Sequence, residues 1–209
     1  IFVRTILLMT ALSLVMREAG ALGEVEMAAS HVVMQFMLLI SLGLDGFAHA
    51  TEALAGAAWG DGRAGKFRRW VKLTGIWAAL ASIIYALLFL IGGDGITAIL
   101  TDIPAVRASV DLLMPLVVAL PVIAVACYQF DGVYIAATAG AAMMVTMAIA
   151  FAIYILVLEP LTTRWGLQGL WAAILIFMAA RGIAQAAWYP RLEAQLNGRS
   201  TGKGAQGNL

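Results

Sequence analysis

Long apolar stretches separated by short polar segments set the pattern of this chain. A helix needs about 20 apolar residues to cross ~30 Å of hydrocarbon. Runs of this kind predict six membrane-spanning helices, at residues 1–16, 25–59, 70–92, 108–130, 133–158 and 166–189. The second run is too long for one straight crossing, and we expect it to bend or to leave the membrane at Gly43 and Gly46.

The same pattern predicts how the chain is divided. Residues 1–192 are expected to form one all-α transmembrane lobe, with short connections and therefore antiparallel neighbours. Residues 193–209 are polar and rich in glycine, which predicts a disordered tail. The chain opens at Ile1 rather than at methionine, and we expect it to be a piece of a longer protein.

Composition supports the membrane class. Of the 209 residues, 63% are hydrophobic and 12% are charged. A soluble domain has about 45–50% apolar and about 25% charged residues. The chain is therefore an integral membrane protein. Its single cysteine, Cys127, excludes an internal disulfide framework.

The distribution of basic residues predicts the orientation. The loop after the second span and the tail are rich in Lys and Arg, and with Arg4 that side carries nine of the thirteen basic residues. Positive residues accumulate on the cytoplasmic side of a membrane. Both termini are therefore predicted to be cytoplasmic. The basic residues of this side are Arg4, Arg63, Lys66, Arg68, Arg69, Lys72, Arg191, Arg199 and Lys203.

Three ionisable residues share one face of the second helix. Asp45, His49 and Glu52 stand at positions i, i+4 and i+7, and His31 and Gln35 form another i, i+4 pair earlier on the helix. The strip is either the wetted inner end of a long helix or the lining of a water-accessible cavity inside the lobe. No second helix offers His or Cys at ligand spacing, so we expect no metal site.

Arg181 is the basic residue that the pattern places well inside a span, the sixth. A guanidinium cannot lose its proton in the membrane and must find anions, carbonyls or water. Asp131 and Asp45 are at similar predicted depths and are the candidate partners. The alternative is that the long side chain of Arg181 reaches lipid phosphate groups.

Several segments, in order, carry a family resemblance. They are "LDGFAHATEALAGAAWG", "KFRRWVKL", "LTDIPAVRASVDLLMPLVVALPV", "YQFDGVYIAAT" and "GLQGLWAAILIFMAARG". Together they resemble the C-terminal six-helix lobe of the multidrug and toxic compound extrusion family, in its DNA-damage-inducible F branch. The more specific pieces are Thr-Asp-Ile-Pro in the third segment and Phe-Asp-Gly in the fourth.

The resemblance implies a function. It implies one lobe of a twelve-helix, two-lobe antiporter of the plasma (inner) membrane, which exports amphipathic or cationic xenobiotics against inward flow of H⁺ or Na⁺. No cofactor is implied beyond that ion, and the partners implied are lipid and a second, N-terminal lobe, not nucleic acid. A proton- or cation-linked role is carried onto Asp131 by its match to an acidic position of the fourth helix. The candidate ion or substrate pathway comprises Asp131, Asp45, Glu52, His49, Gln35, Gln129 and Arg181.

Three other functions remain open at this point. A lipid-linked flippase of the same superfamily would need a strongly basic cavity, to which only Arg4 and Arg181 can contribute. A lone lobe can also serve as a membrane scaffold without transport. An intramembrane enzyme is not expected, because none of the serines stands in a Gly-x-Ser-x-Gly or comparable catalytic motif.

Overall fold

The chain is all-helical in a computed structural model that describes residues 2–206 and the side chains of residues 2–198. Each helical element contains an apolar window long enough to cross a membrane, which confirms the prediction of a multi-pass helical protein. The elements are α1 (Phe2–Leu22), α2 (Glu24–Gly60), α3 (Ala64–Leu100), α4 (Pro104–Ala136) and α5 (Gly140–Gln206).

Helix α4 is the centre of the bundle. It packs against α2, α3 and α5, while α1 packs against α2 and α5. The connections 61–63, 101–103 and 137–139 have three residues each, so the elements that they join lie side by side.

Helix α2 is one continuous helix through Gly43 and Gly46, so no break occurs at these glycines. With 37 residues it is ~55 Å long, longer than the hydrocarbon layer is thick. Gly43 instead allows α2 to pack closely against Tyr85 of α3, because a β-carbon at this position would collide with the ring and hydroxyl of Tyr85.

Helix α5 is interrupted at Gly166, whose backbone (φ 54°, ψ −130°) is not helical. The chain folds back there, since the rings of Tyr154 and Phe177 have centroids 5.5 Å apart. On a straight helix, 23 residues would separate them by ~35 Å. Glycine tolerates the positive φ of this reversal. The two arms of α5 therefore pack against each other, and the reversal lies where the sequence predicted the boundary between the last two spans.

One predicted boundary is wrong. The fifth span was expected to begin at Val133, whereas α4 continues to Ala136 and α5 begins at Gly140. No charged residue or proline lies in the turn at 137–139. Val133 and Tyr134, which precede it, are fully buried within α4. The turn depends on Thr138, whose φ is 53°.

The predicted tail is also corrected. The second arm of α5 remains helical to Gln206 instead of becoming disordered at 193. Leu192 and Leu196, each 1% exposed, pack in a cluster with Trp59 and Phe67, and this apolar contact extends the helix. Glu193 also pairs with Arg68 on α3, with Nε and Oε1 2.9 Å apart. Residues 207–209 of the predicted tail lie outside the described residues.

Candidate ion-pair centre at Asp131

Asp131 is a buried carboxylate, 4% exposed, that joins three elements of the fold. Its Oδ2 accepts from an Nη2 group of Arg181 on α5 and from one of Arg4 on α1. Its Oδ1 accepts from Gln185 Nε2 at 2.9 Å. Of the two candidate partners of Arg181, Asp131 is therefore the one that it contacts directly, and this pair belongs to a larger centre.

Local structure positions these groups. Arg181 and Gln185 stand at i and i+4, so they share one face of the second arm of α5. The hydroxyl of Tyr134, one turn after Asp131 on α4, donates to the carbonyl of Gln185 at 2.8 Å. The two helices are thus held in register where the charges meet.

Arg4, which was counted with the cytoplasmic side, also belongs to the centre. Its side chain is 19% exposed and points to Asp131. A positive charge inside an otherwise apolar first span is the signal that could have identified it. Without Arg4, eight of the thirteen basic residues remain on the predicted cytoplasmic side.

The centre has two guanidinium groups for one buried carboxylate. A buried charge is tolerated when it is paired and hydrogen-bonded. Asp45 is close enough to interact electrostatically with Arg4, Arg181 and Asp131, so the four groups together carry no net charge. Unlike the buried Asp131, Asp45 is exposed on the surface of α2.

Some hydrogen-bonding capacity in the centre is unused. Among the described side chains, Arg4 Nε, Arg181 Nε and Gln185 Oε1 are buried without a partner. Two donors and one acceptor beside a charged cluster favour a small polar species, such as water, at this place.

Gln129, another candidate pathway residue, belongs to a second buried polar network. Its Nε2 donates to Thr74 Oγ1 at 2.8 Å and to the carbonyl of Val71 at 3.3 Å. Thr51 Oγ1 donates to Gln129 Oε1 at 3.2 Å. These buried bonds join α2, α3 and α4 at Gln129, two residues before Asp131.

The polar strip of α2 lies on the outer surface of the lobe. Asp45, His49 and Gln35 are exposed and Glu52 is half-buried, so the strip does not line the lobe interior. His49 Nδ1 and Glu52 Oε2 are 3.6 Å apart. Spacings of three and four residues keep the strip on one side of the helix, which includes His31, Gln35, Leu38, Leu42, Asp45, His49 and Glu52.

No cluster of three or more His, Cys, Asp or Glu residues among the described residues could hold a metal ion. A pocket of about 260 Å³ opens at the other end of the bundle, beside the reversal at Gly166, and is lined by Glu26, Ser109, Trp165 and Gln168 among others. The ion-pair centre and this pocket share no residue.

Comparison with known proteins gives the family. The MatE family model matches residues 1–161. DNA damage-inducible protein F of Escherichia coli (strain K12) is 33% identical over 198 residues, which are 91% of this chain and 41% of that protein. The chain therefore spans about two fifths of the length of this curated relative.

Solved structures share the fold. A crystal structure of MATE in the bent conformation matches 95% of this chain and 45% of its own, with a TM-score of 0.80 and 15% identity. A MOP superfamily transporter from Pyrococcus furiosus, described as having a binding pocket of reverse polarity, matches 93% of this chain and 44% of its own, with a TM-score of 0.70 and 16% identity. Since the family model covers most of the sequence, this chain belongs to the MatE family of membrane transporters, whose members are not enzymes.

Proposed function

We propose that this chain is the C-terminal, six-helix half of an H⁺- or Na⁺-coupled efflux transporter in the plasma membrane. The two arms of α5 supply the fifth and sixth crossings. The match to less than half of each relative supports a second half of similar size. Amphipathic or cationic compounds are the proposed substrates, by the resemblance of the whole lobe to the family.

The polar strip of α2 carries this proposal. Asp45 and His49 are exposed on a helix that contains an apolar window long enough to cross a membrane. Charged side chains inside a membrane face a water-filled cavity or other protein, because contact with lipid is costly. A cleft between this lobe and its second half provides that environment, and the strip would line it.

Within the strip, Asp45 is the proposed coupling group. Asp131 is buried, and its two carboxylate oxygens already accept hydrogen bonds from Arg4, Arg181 and Gln185. Asp45 is exposed to the proposed cleft and interacts electrostatically with the same arginines. Protonation of Asp45 would give the group formed with Arg4, Asp131 and Arg181 a net charge of one positive unit. This change would alter the electrostatic interactions of α1, α4 and α5, which carry the other three residues.

Transport measurements on the complete protein test this role. Asp45→Asn should slow ion-driven efflux of ethidium about tenfold, equivalent to ~1.4 kcal/mol in the barrier, because the side chain keeps its shape and loses its titration. Asp94→Asn, which removes an exposed carboxylate of α3 away from the strip, should transport normally. Efflux by Asp45→Asn at the normal rate and abundance would exclude Asp45 as the coupling group. Imposing a proton or a sodium gradient in vesicles identifies the ion.

The lipid-linked flippase is disfavoured by the same geometry. It would need free basic groups in a cavity, but Arg4 and Arg181 both donate to Asp131.

A scaffold without transport gives no reason for the exposed carboxylate of Asp45. The efflux assay separates it from a transporter, because a scaffold would move no ethidium.

The orientation gives a separate prediction. The eight basic residues around the α2–α3 connection and near the C-terminal end of α5 predict that this end of the bundle faces the cytoplasm. With Cys127 replaced by alanine, cysteines at Ala64 or Lys66 should resist an impermeant thiol reagent in intact cells. A cysteine at Asp102, exposed in the 101–103 connection at the other end, should react. Labelling of position 64 or 66 from outside would reverse the topology.

A further inference from the structure

Five basic residues surround the start of α3, and the structure divides them into two groups. Arg63 pairs with Asp61, with Nε and Oδ2 3.6 Å apart, and Arg68 pairs with Glu193. Lys66, Arg69 and Lys72 are exposed, and they make no ion pair with any side chain of residues 2–198. Three positive charges are therefore left without an ion-pair partner among the side chains that the structure describes.

The three unpaired bases lie on one side of α3. Lys66, Arg69 and Lys72 are spaced by three residues, which makes each the neighbour of the next along the helix surface. We refer to Lys66, Arg69 and Lys72 as the basic patch. The buried residues of this helix, among them Phe67, Thr74 and Ala78, face α2 and α4 instead. The patch thus points away from the bundle.

An exposed apolar face begins where the basic patch ends. Leu73, Ile76, Leu80, Ile83 and Leu87 follow at spacings of three and four residues, and each is between 41% and 54% exposed. From Lys66 to Leu80 the helix rises ~21 Å. This length is about half of the ~40–45 Å bilayer with its headgroups, so a headgroup at the patch and an acyl chain along Leu73 to Leu80 fit in one membrane leaflet.

We propose that the basic patch binds the phosphate of an anionic phospholipid whose acyl chains lie along Leu73 to Leu80. Unpaired Lys and Arg at the end of a membrane helix attract anionic headgroups. A zwitterionic lipid carries a compensating ammonium group and binds less tightly. The lipid would hold the start of α3 at the membrane surface, beside the α2–α3 connection.

The test compares two variants of the complete protein that each lose two positive charges. Lys66→Gln/Arg69→Gln removes unpaired bases, and Arg63→Gln/Arg68→Gln removes bases already paired. Binding of phosphatidylglycerol to the protein in neutral detergent is titrated by native mass spectrometry. The first variant should bind about tenfold more weakly and the second close to wild type, because only the first removes headgroup contacts. Equal weakening in both variants, or none in either, would overturn the site.

Two further ligands identify the source of the phosphate. Phosphatidylcholine with the same acyl chains should bind more weakly to wild type than phosphatidylglycerol, and equal binding would contradict an anionic-lipid site. Glycerophosphoglycerol, the headgroup without acyl chains, should not compete. Full competition by this soluble compound would show a free-phosphate site and overturn the assignment to lipid. Melting temperatures of both variants near wild type confirm that each is folded.

Discussion

Asp131→Asn should destabilise the protein by about 3–5 kcal/mol, the cost of removing one partner from a buried ion pair. The change leaves Arg181, which is 2% exposed, without its carboxylate, and it removes the counter-charge of Arg4. Asn keeps the shape of the side chain, so the loss reports charge and hydrogen bonding instead of packing. Unfolding of the complete protein in neutral detergent measures the change.

A double-mutant cycle isolates the pair. Arg181→Gln alone should also lower the free energy of unfolding, because it removes one of the two guanidinium groups that pair with the buried carboxylate of Asp131. When Arg181→Gln is combined with Asp131→Asn, the free energy of unfolding should fall by about 1–3 kcal/mol less than the sum of the two single losses. Asp111→Asn on the exposed surface of the same helix is the matched control, expected within about 0.5 kcal/mol of wild type. Strictly additive losses would mean that Arg181 and Asp131 contribute independently, as expected if Arg181 served lipid phosphate.

Gly132→Ala should destabilise the protein by about 1–3 kcal/mol, as overpacking does in a close-packed interior. A β-carbon at Gly132 would lie within contact distance of the carbonyl group and Cα of Ala48 on α2. The obstacle is backbone, so no side-chain rotation relieves it, and α2 and α4 must move apart. This movement would also disturb the neighbouring Asp131.

Gly92→Ala is the matched control for that prediction. Gly92 also lies inside a long helix, α3, but a β-carbon there meets no atom within 4 Å. Alanine should be neutral or stabilise the helix by up to about 1 kcal/mol. If both glycine variants had the same thermal stability, close approach of α2 and α4 at Gly132 would not be a constraint on the fold.

Much of the fold could be predicted because a membrane imposes a simple rule on sequence. Apolar runs such as 70–92 must be helical when they cross hydrocarbon, since backbone groups have no water to bond. Boundaries were less predictable. The turn at 137–139 lies within small apolar residues, and the helix beyond 193 depends on Leu196 packing against a distant cluster.

The candidate site was predictable in its chemistry but only partly in its arrangement. A lone Arg181 in an apolar span requires an anion, and Asp131 was one of two candidates. The choice between Asp131 and Asp45 depends on the angle at which α5 meets α4. The recruitment of Arg4 depends on α1 crossing the same point, and neither angle is encoded in spacing along one helix.

The sequence by itself therefore determined the membrane class, the helical elements, the family resemblance and the need for a partner to Arg181. These follow from composition and local periodicity, which act within one helix. Only the tertiary structure decided that Asp131 is shared by Arg4 and Arg181 and that the strip of Asp45 faces outward. It also decided that Lys66, Arg69 and Lys72 form no ion pair with the side chains of residues 2–198. Each of these is a contact, or the lack of one, between helices far apart in the chain, and helix packing alone sets which faces meet.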